Sequence, residues 1–149
     1  MKNKYYKPNL EEFHVGFEYE AAIADGVGDG EDVWVKQKWG ELNSLSETMT
    51  LRYNKDGSIK ISVPDSIRVK LLDRDDIIDL GFDEKIENMY HIKVGEYRGE
   101  RDRVFSLFVA GVTLIYLHRG NGEFATVFTG IINNKSELRR VLKQVGIIK

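Results

Sequence analysis

The sequence predicts an α+β fold: an antiparallel β-meander with a C-terminal amphipathic helix and a short acidic helix. Three observations predict it. Four strand-like runs fall between residues 89 and 129, and Ala110-Gly111 and Gly120-Asn121-Gly122 supply tight turns between them. After Asn134 the apolar period changes, and Leu138, Val141, Leu142 and Val145 follow the i, i+3, i+4, i+7 spacing of one helix face. Around residues 74–80, Asp73 is placed to cap a short helix, Asp75 and Asp76 fall in its first turn, and Gly81 stops it.

Composition sets the scale of the core. The chain has 149 residues, 42% apolar and 31% charged, the mix of an ordinary globular domain. At this size roughly two-thirds of the unfolded surface can be buried. No internal repeat, low-complexity tract or linker interrupts the chain, so residues 1–149 read as one α+β domain with a flexible N-terminal arm over 1–9. There is no cysteine, which removes disulfides, thiolate metal sites and thiol nucleophiles.

The elements follow in order. Residues 14–20 alternate, with Val15, Phe17 and Tyr19 on one face and His14, Gly16, Glu18 and Glu20 on the other. Residues 24–32 form a Gly/Asp-rich loop, and 32–39 alternate again as a strand. A turn or short helix is expected at 43–48. Strands at 50–53 and 58–63 make a hairpin across Asn54-Lys55-Asp56-Gly57. A short strand at 67–72 runs into the acidic helix. The meander then occupies 89–97, 104–109, 112–118 and 124–129. The last helix spans 135–145, with Asn134 and Glu137 forming a capping box and Lys143 and Gly146 marking its end.

No secretory leader is visible, because the basic start Met1–Pro8 is not followed by an apolar stretch. The most apolar run, 104–117, is too short to span a bilayer and is broken by Ala110-Gly111. A soluble, cytoplasmic protein with no membrane partner is expected. Net charge is −2 and unevenly spread: residues 1–87 hold 12 Lys/Arg against 19 Asp/Glu, and residues 88–149 hold 10 against 5. Two solvated surfaces of opposite sign are the simplest consequence.

The central hairpin departs from simple alternation. Phe105, Leu107 and Val109 point to one face and Val104 and Phe108 to the other; in the next strand Ile115 and Leu117 oppose Val112, Leu114 and Tyr116. An antiparallel sheet with one wet face alternates cleanly, so both faces of this hairpin are expected to be covered. The C-terminal helix accounts for one. The other needs either the N-terminal strands of the same chain or a second chain, and the second case makes Val104, Phe108, Val112, Leu114 and Tyr116 a candidate protein interface.

Catalytic signals are absent. His14, His91 and His118 lie on three different strands without metal-ligand spacing and read as unrelated strand histidines. Asp73, Asp75, Asp76 and Asp79 read as a cap and a solvated helix face before they read as a divalent-cation site. The 24–32 loop lacks the order of a calcium loop and the spacing of a phosphate loop, and no nucleophile elbow, zinc-protease or kinase signature occurs. No cofactor and no metal is implied, and no residue stands out as catalytic.

Nucleic acid is the alternative partner. Tyr90, Tyr97, Phe105, Phe108, Tyr116, Phe124 and Phe128 interleave with Lys93, Arg98, Arg101, Arg103 and Arg119, and Arg139, Arg140 and Lys143 add a basic helix face. Aromatic rings stack on bases while cations follow phosphates, which suits single strands. The whole-chain pI near 6.0 and the missing RNA-recognition motif weigh against it.

Three stretches carry a resemblance: Lys7-Pro8-Asn9-Leu10-Glu11-Glu12-Phe13-His14-Val15-Gly16-Phe17-Glu18-Tyr19-Glu20; then Ile67-Arg68-Val69-Lys70-Leu71-Leu72-Asp73-Arg74-Asp75-Asp76-Ile77 through Leu80-Gly81-Phe82; and Asn134-Lys135-Ser136-Glu137-Leu138-Arg139. Together they resemble a group of small uncharacterised proteins encoded by phages and prophages of gut Bacteroidales. The resemblance implies a phage accessory protein made inside a bacterium and assigns no functional residue. The expectation is therefore a non-enzymatic interaction protein whose partner is a host protein, a phage protein or a second copy.

Overall fold

Every strand pairing among the described residues is antiparallel. The structure is a computed structural model and describes residues 4–23, 33–40, 50–53, 55–56, 58–95 and 103–149. The turn expected at 43–48 and the 24–32 loop lie outside these residues. The fold is α+β, with sheets of four and five strands and a C-terminal helix. The chain divides into two compact units, 1–71 and 72–149, each with its own sheet and core.

The N-terminal unit contains β1 (Tyr5–Tyr6), β2 (Glu18–Ile23), β3 (Val33–Lys38), β4 (Thr50–Tyr53), β5 (Ile59–Ser62) and β6 (Ile67–Lys70). Its larger sheet has the order β1-β6-β2-β3, and β4 and β5 form a separate hairpin. Residues 5 and 6, placed in a flexible arm by the sequence, pair with Lys70 and Val69. Phe17, Tyr19, Val63, Ile67 and Val69 are buried, and the Phe13 ring lies 5.0, 5.7 and 5.1 Å from Phe17, Tyr19 and Trp39. The expected strand over 14–20 starts later, at Glu18. Gly16 has φ +86°, and the Phe17 N–H donates to the His14 carbonyl, so a turn precedes the ladder and Val15 is 85% exposed.

The opposite face of that sheet is charged and stacked. Arg68 lies across from Glu20, and its Nε donates to the Glu20 carboxylate at 2.8 Å. Its guanidinium sits 3.9 Å from the centroids of both the Tyr5 and the Trp34 ring. A planar cation between two rings combines stacking with cation–π attraction.

The C-terminal unit contains α1 (Arg74–Asp79), β7 (Asp83–Ile86), β8 (Met89–Val94), β9 (Arg103–Ala110), β10 (Val112–Gly120), β11 (Glu123–Gly130) and α2 (Lys135–Gln144). The strands run β11-β10-β9-β8-β7. Helix α1 is held by a full capping box, in which Asp73 accepts from the Asp76 N–H at 3.1 Å and Asp76 accepts from the Asp73 N–H at 3.3 Å. Gly81 follows with φ +94°.

Helix α2 corrects one detail of the sequence reading. Asn134 does accept from the Glu137 N–H at 2.9 Å, but the Glu137 carboxylate accepts from Asn133, one residue before the cap. Leu138, Val141 and Leu142 bury the helix against Phe105, Leu107 and Ile115, joined by Ile77, Phe82, Tyr90, Ile132 and Ile147. Leu107, Ile115, Leu138 and Leu142 have no exposed surface, which marks the centre of this core.

Candidate interaction face of the C-terminal sheet

Side chains alternate across a strand, so the face away from α2 is fixed once the core face is known. Ladder pairing then arranges it in rows. One row runs Ile86, Met89, Phe108, Leu114, Thr129. The next runs Asp83, His91, Ser106, Tyr116, Thr126. Lys93 beside Val104, and His118 beside Phe124, extend it toward the far end of the strands. Apolar residues thus surround a polar centre.

All five candidate interface residues share this face. Phe108 pairs directly with Leu114, and Val112 with Ala110 at the hairpin end. Val112 is 45% exposed and Phe124, which sequence reasoning gave to the nucleic-acid set alone, is 60% exposed. Val104, Phe108, Leu114 and Tyr116 are half-buried.

The polar centre was not foreseen. Two of the three histidines, read as unrelated, come together here: the His91 and His118 rings are 5.5 Å apart, edge to face. Ser106 Oγ lies 2.5 Å from His118 Nε2, and the His118 ring also packs on Phe124 at 4.8 Å. Burial lowers the His91 pKa below its ordinary value, and the neighbouring His118 and Lys85 lower it further. His14 belongs to the N-terminal unit, where its Nδ1 meets the Glu12 carbonyl at 2.8 Å.

A serine bonded to an imidazole invites a catalytic reading, and the surroundings do not favour it. Ser106 is 6% exposed and sits mid-strand, paired with His91 on one side and Tyr116 on the other. Backbone N–H groups in a two-sided ladder are committed and cannot stabilise an oxyanion. A nucleophilic serine stands instead on a sharp turn beside free donors. Here the bond gives a buried hydroxyl its partner and orients the imidazole.

The basic candidates are divided. Lys93 lies on this face. Arg103, opposite Val94, alternates toward the helix side, and Arg119 follows the core-facing Leu117 near a register shift at the end of β10. Arg139 and Arg140 lie on α2, across the sheet. Arg98, Arg101 and Tyr97 lie outside the described residues. Among the aromatics, Phe108, Tyr116 and Phe124 are on the open face, whereas Tyr90 and Phe105 are buried and Phe128 packs on the core. Burial, with Glu84 nearby, raises the Tyr90 pKa.

The acidic helix residues have local work. Asp73 and Asp76 cap α1, while Lys135 lies 3.0 Å from Asp79 and 4.0 Å from Asp76. Among the described residues, no helix is long and apolar enough to cross a membrane.

Fold and face together define an α+β protein with a mixed apolar and imidazole surface on one sheet. The chain matches no protein-family model, no curated protein and no solved structure.

Proposed function

We propose that the protein is a non-enzymatic interaction protein that docks a protein partner on the open face of the C-terminal sheet. The observation that carries this reading is the in-register apolar row through Phe108 and Leu114, flanked by the exposed Val112 and Phe124. Aromatic and aliphatic anchors around an already satisfied polar centre lose little on desolvation and gain contact area. The resemblance of its three stretches supports a setting as a phage accessory protein in the cytoplasm of a bacterium. Single-stranded nucleic acid is less well supported, because only Lys93 of the described basic candidates shares the face with the exposed aromatics.

The test is affinity purification of tagged full-length protein from its bacterial host, with and without nuclease. Wild type and Lys93→Ala should retain the same nuclease-resistant protein, and Leu114→Arg should lose it while keeping the wild-type circular dichroism spectrum. Nuclease-sensitive material lost in Lys93→Ala would establish the nucleic-acid reading instead.

A further inference from the structure

An antiparallel sheet leaves unpaired N–H and C=O groups at each edge, and proteins blunt such edges with charge, short length or proline. In the two larger sheets, three edges are blunted. Strand β1 has two residues, β3 carries Lys36 and Lys38, and β7 has four residues, three of them Asp83, Glu84 and Lys85. The fourth edge is different. Strand β11, Glu123-Phe124-Ala125-Thr126-Val127-Phe128-Thr129-Gly130, has eight residues, no proline and a single charge at its first position. Glu123, Phe124, Thr126, Val127 and Thr129 are exposed. Its edge devices are two register shifts against β10, one between His118 and Gly120 and one between Ile115 and Tyr116.

The second shift also sets a symmetry. Phe124 and Thr129, opposite His118 and Leu114, lie on the open face, whereas Ala125 and Phe128, opposite Leu117 and Ile115, lie on the helix side. The facing pattern of Phe124, Ala125, Phe128 and Thr129 therefore reads the same in both directions about the Thr126–Val127 bond. We infer that β11 pairs antiparallel with β11 of a second copy, joining two five-stranded sheets edge to edge about a two-fold axis. In this register Phe124 meets Thr129 of the second copy, Ala125 meets Phe128, and Glu123 meets Gly130. Phe124 and Thr129 then point to one side of the joined sheet and Ala125 and Phe128 to the other, large residues meet small ones, and the two like charges lie at opposite ends. A second copy fits this edge because the strand matches itself in facing and brings no like charges together. The inference concerns the edge and goes beyond the proposed docking face.

The test is the mass of the full chain by light scattering over a dilution series. A dimer of twice 17.1 kDa is expected. It should be lost in the double variant Thr126→Lys/Thr129→Lys, whose lysines stand at the edge, and kept in Leu114→Arg, which alters only the face. A monomer at every concentration, a dimer that survives the double lysine variant, or one that Leu114→Arg abolishes would overturn the inference. Amide exchange in wild type offers a second reading that needs no variant. Exchange over residues 123–130 should slow as concentration rises, and exchange independent of concentration would count equally against the pairing.

Discussion

Ser106 Oγ and His118 Nε2 lie 2.5 Å apart on neighbouring central strands, one diagonal step across the face that α2 leaves open. That contact organises the polar centre of the face. It fixes the His118 ring, which in turn packs on Phe124 and meets His91 edge to face. The apolar residues around it are thus arranged about a hydrogen-bonded serine–histidine pair.

Removing the hydroxyl should loosen this centre without unfolding the unit. Ser106→Ala is expected to cost about 1 kcal/mol, the usual net worth of one such hydrogen bond. Urea denaturation measures it, and the His118 ring resonances should shift in the same variant.

Acid should destabilise the protein through His91. Its folded pKa lies below the ordinary 6.5, so the unfolded chain binds more protons in that window. Stability should fall as pH drops through about 6.5 and level off below the folded pKa. The charged groups around it include Lys85, Lys93, Asp83 and His118. Thermal melts of wild type and His91→Gln over a pH series isolate its share, and the variant should show a shallower acid decline.

Core and face should respond differently to truncation. Leu107 and Leu138 have no exposed surface, and Leu→Ala at either should cost about 2–5 kcal/mol. Val112 is 45% exposed, and Val112→Ala should stay within about 0.5 kcal/mol. Equilibrium denaturation of the three variants checks the contrast.

In the N-terminal unit, Arg68→Lys should destabilise despite keeping the charge. The guanidinium lies 3.9 Å from the Tyr5 and Trp34 ring centroids and bonds Glu20 through Nε, a combination that an ammonium cannot reproduce. The expected cost is about 1 kcal/mol. The change in Trp34 fluorescence during unfolding reports it.

Much of the arrangement of this candidate face was legible because hairpins fix register locally. Gly111, at φ +79°, turns β9 into β10, and alternation from that turn places Val104, Phe108, Val112, Leu114 and Tyr116 together. The helices were legible from Asp73, Gly81 and Asn134, whose roles depend only on their own turns. The His91–His118 pair was not, because β8 and β9 lie eight residues apart in the sequence, so alternation cannot be carried from one to the other through a tight turn. Strand β7 was missed for another reason. Asp83, Glu84 and Lys85 have low strand propensity, and their pairing with β8 comes from tertiary context.

The most direct measurement of the central claim is site-specific photo-crosslinking inside the expressing bacterium, with a benzophenone amino acid replacing Phe108. The account predicts a discrete protein adduct that resists nuclease, is absent when the probe replaces Glu87 in the exposed β7–β8 turn, and disappears with Leu114→Arg. No adduct at position 108, or the same adduct from both probe positions, would contradict it.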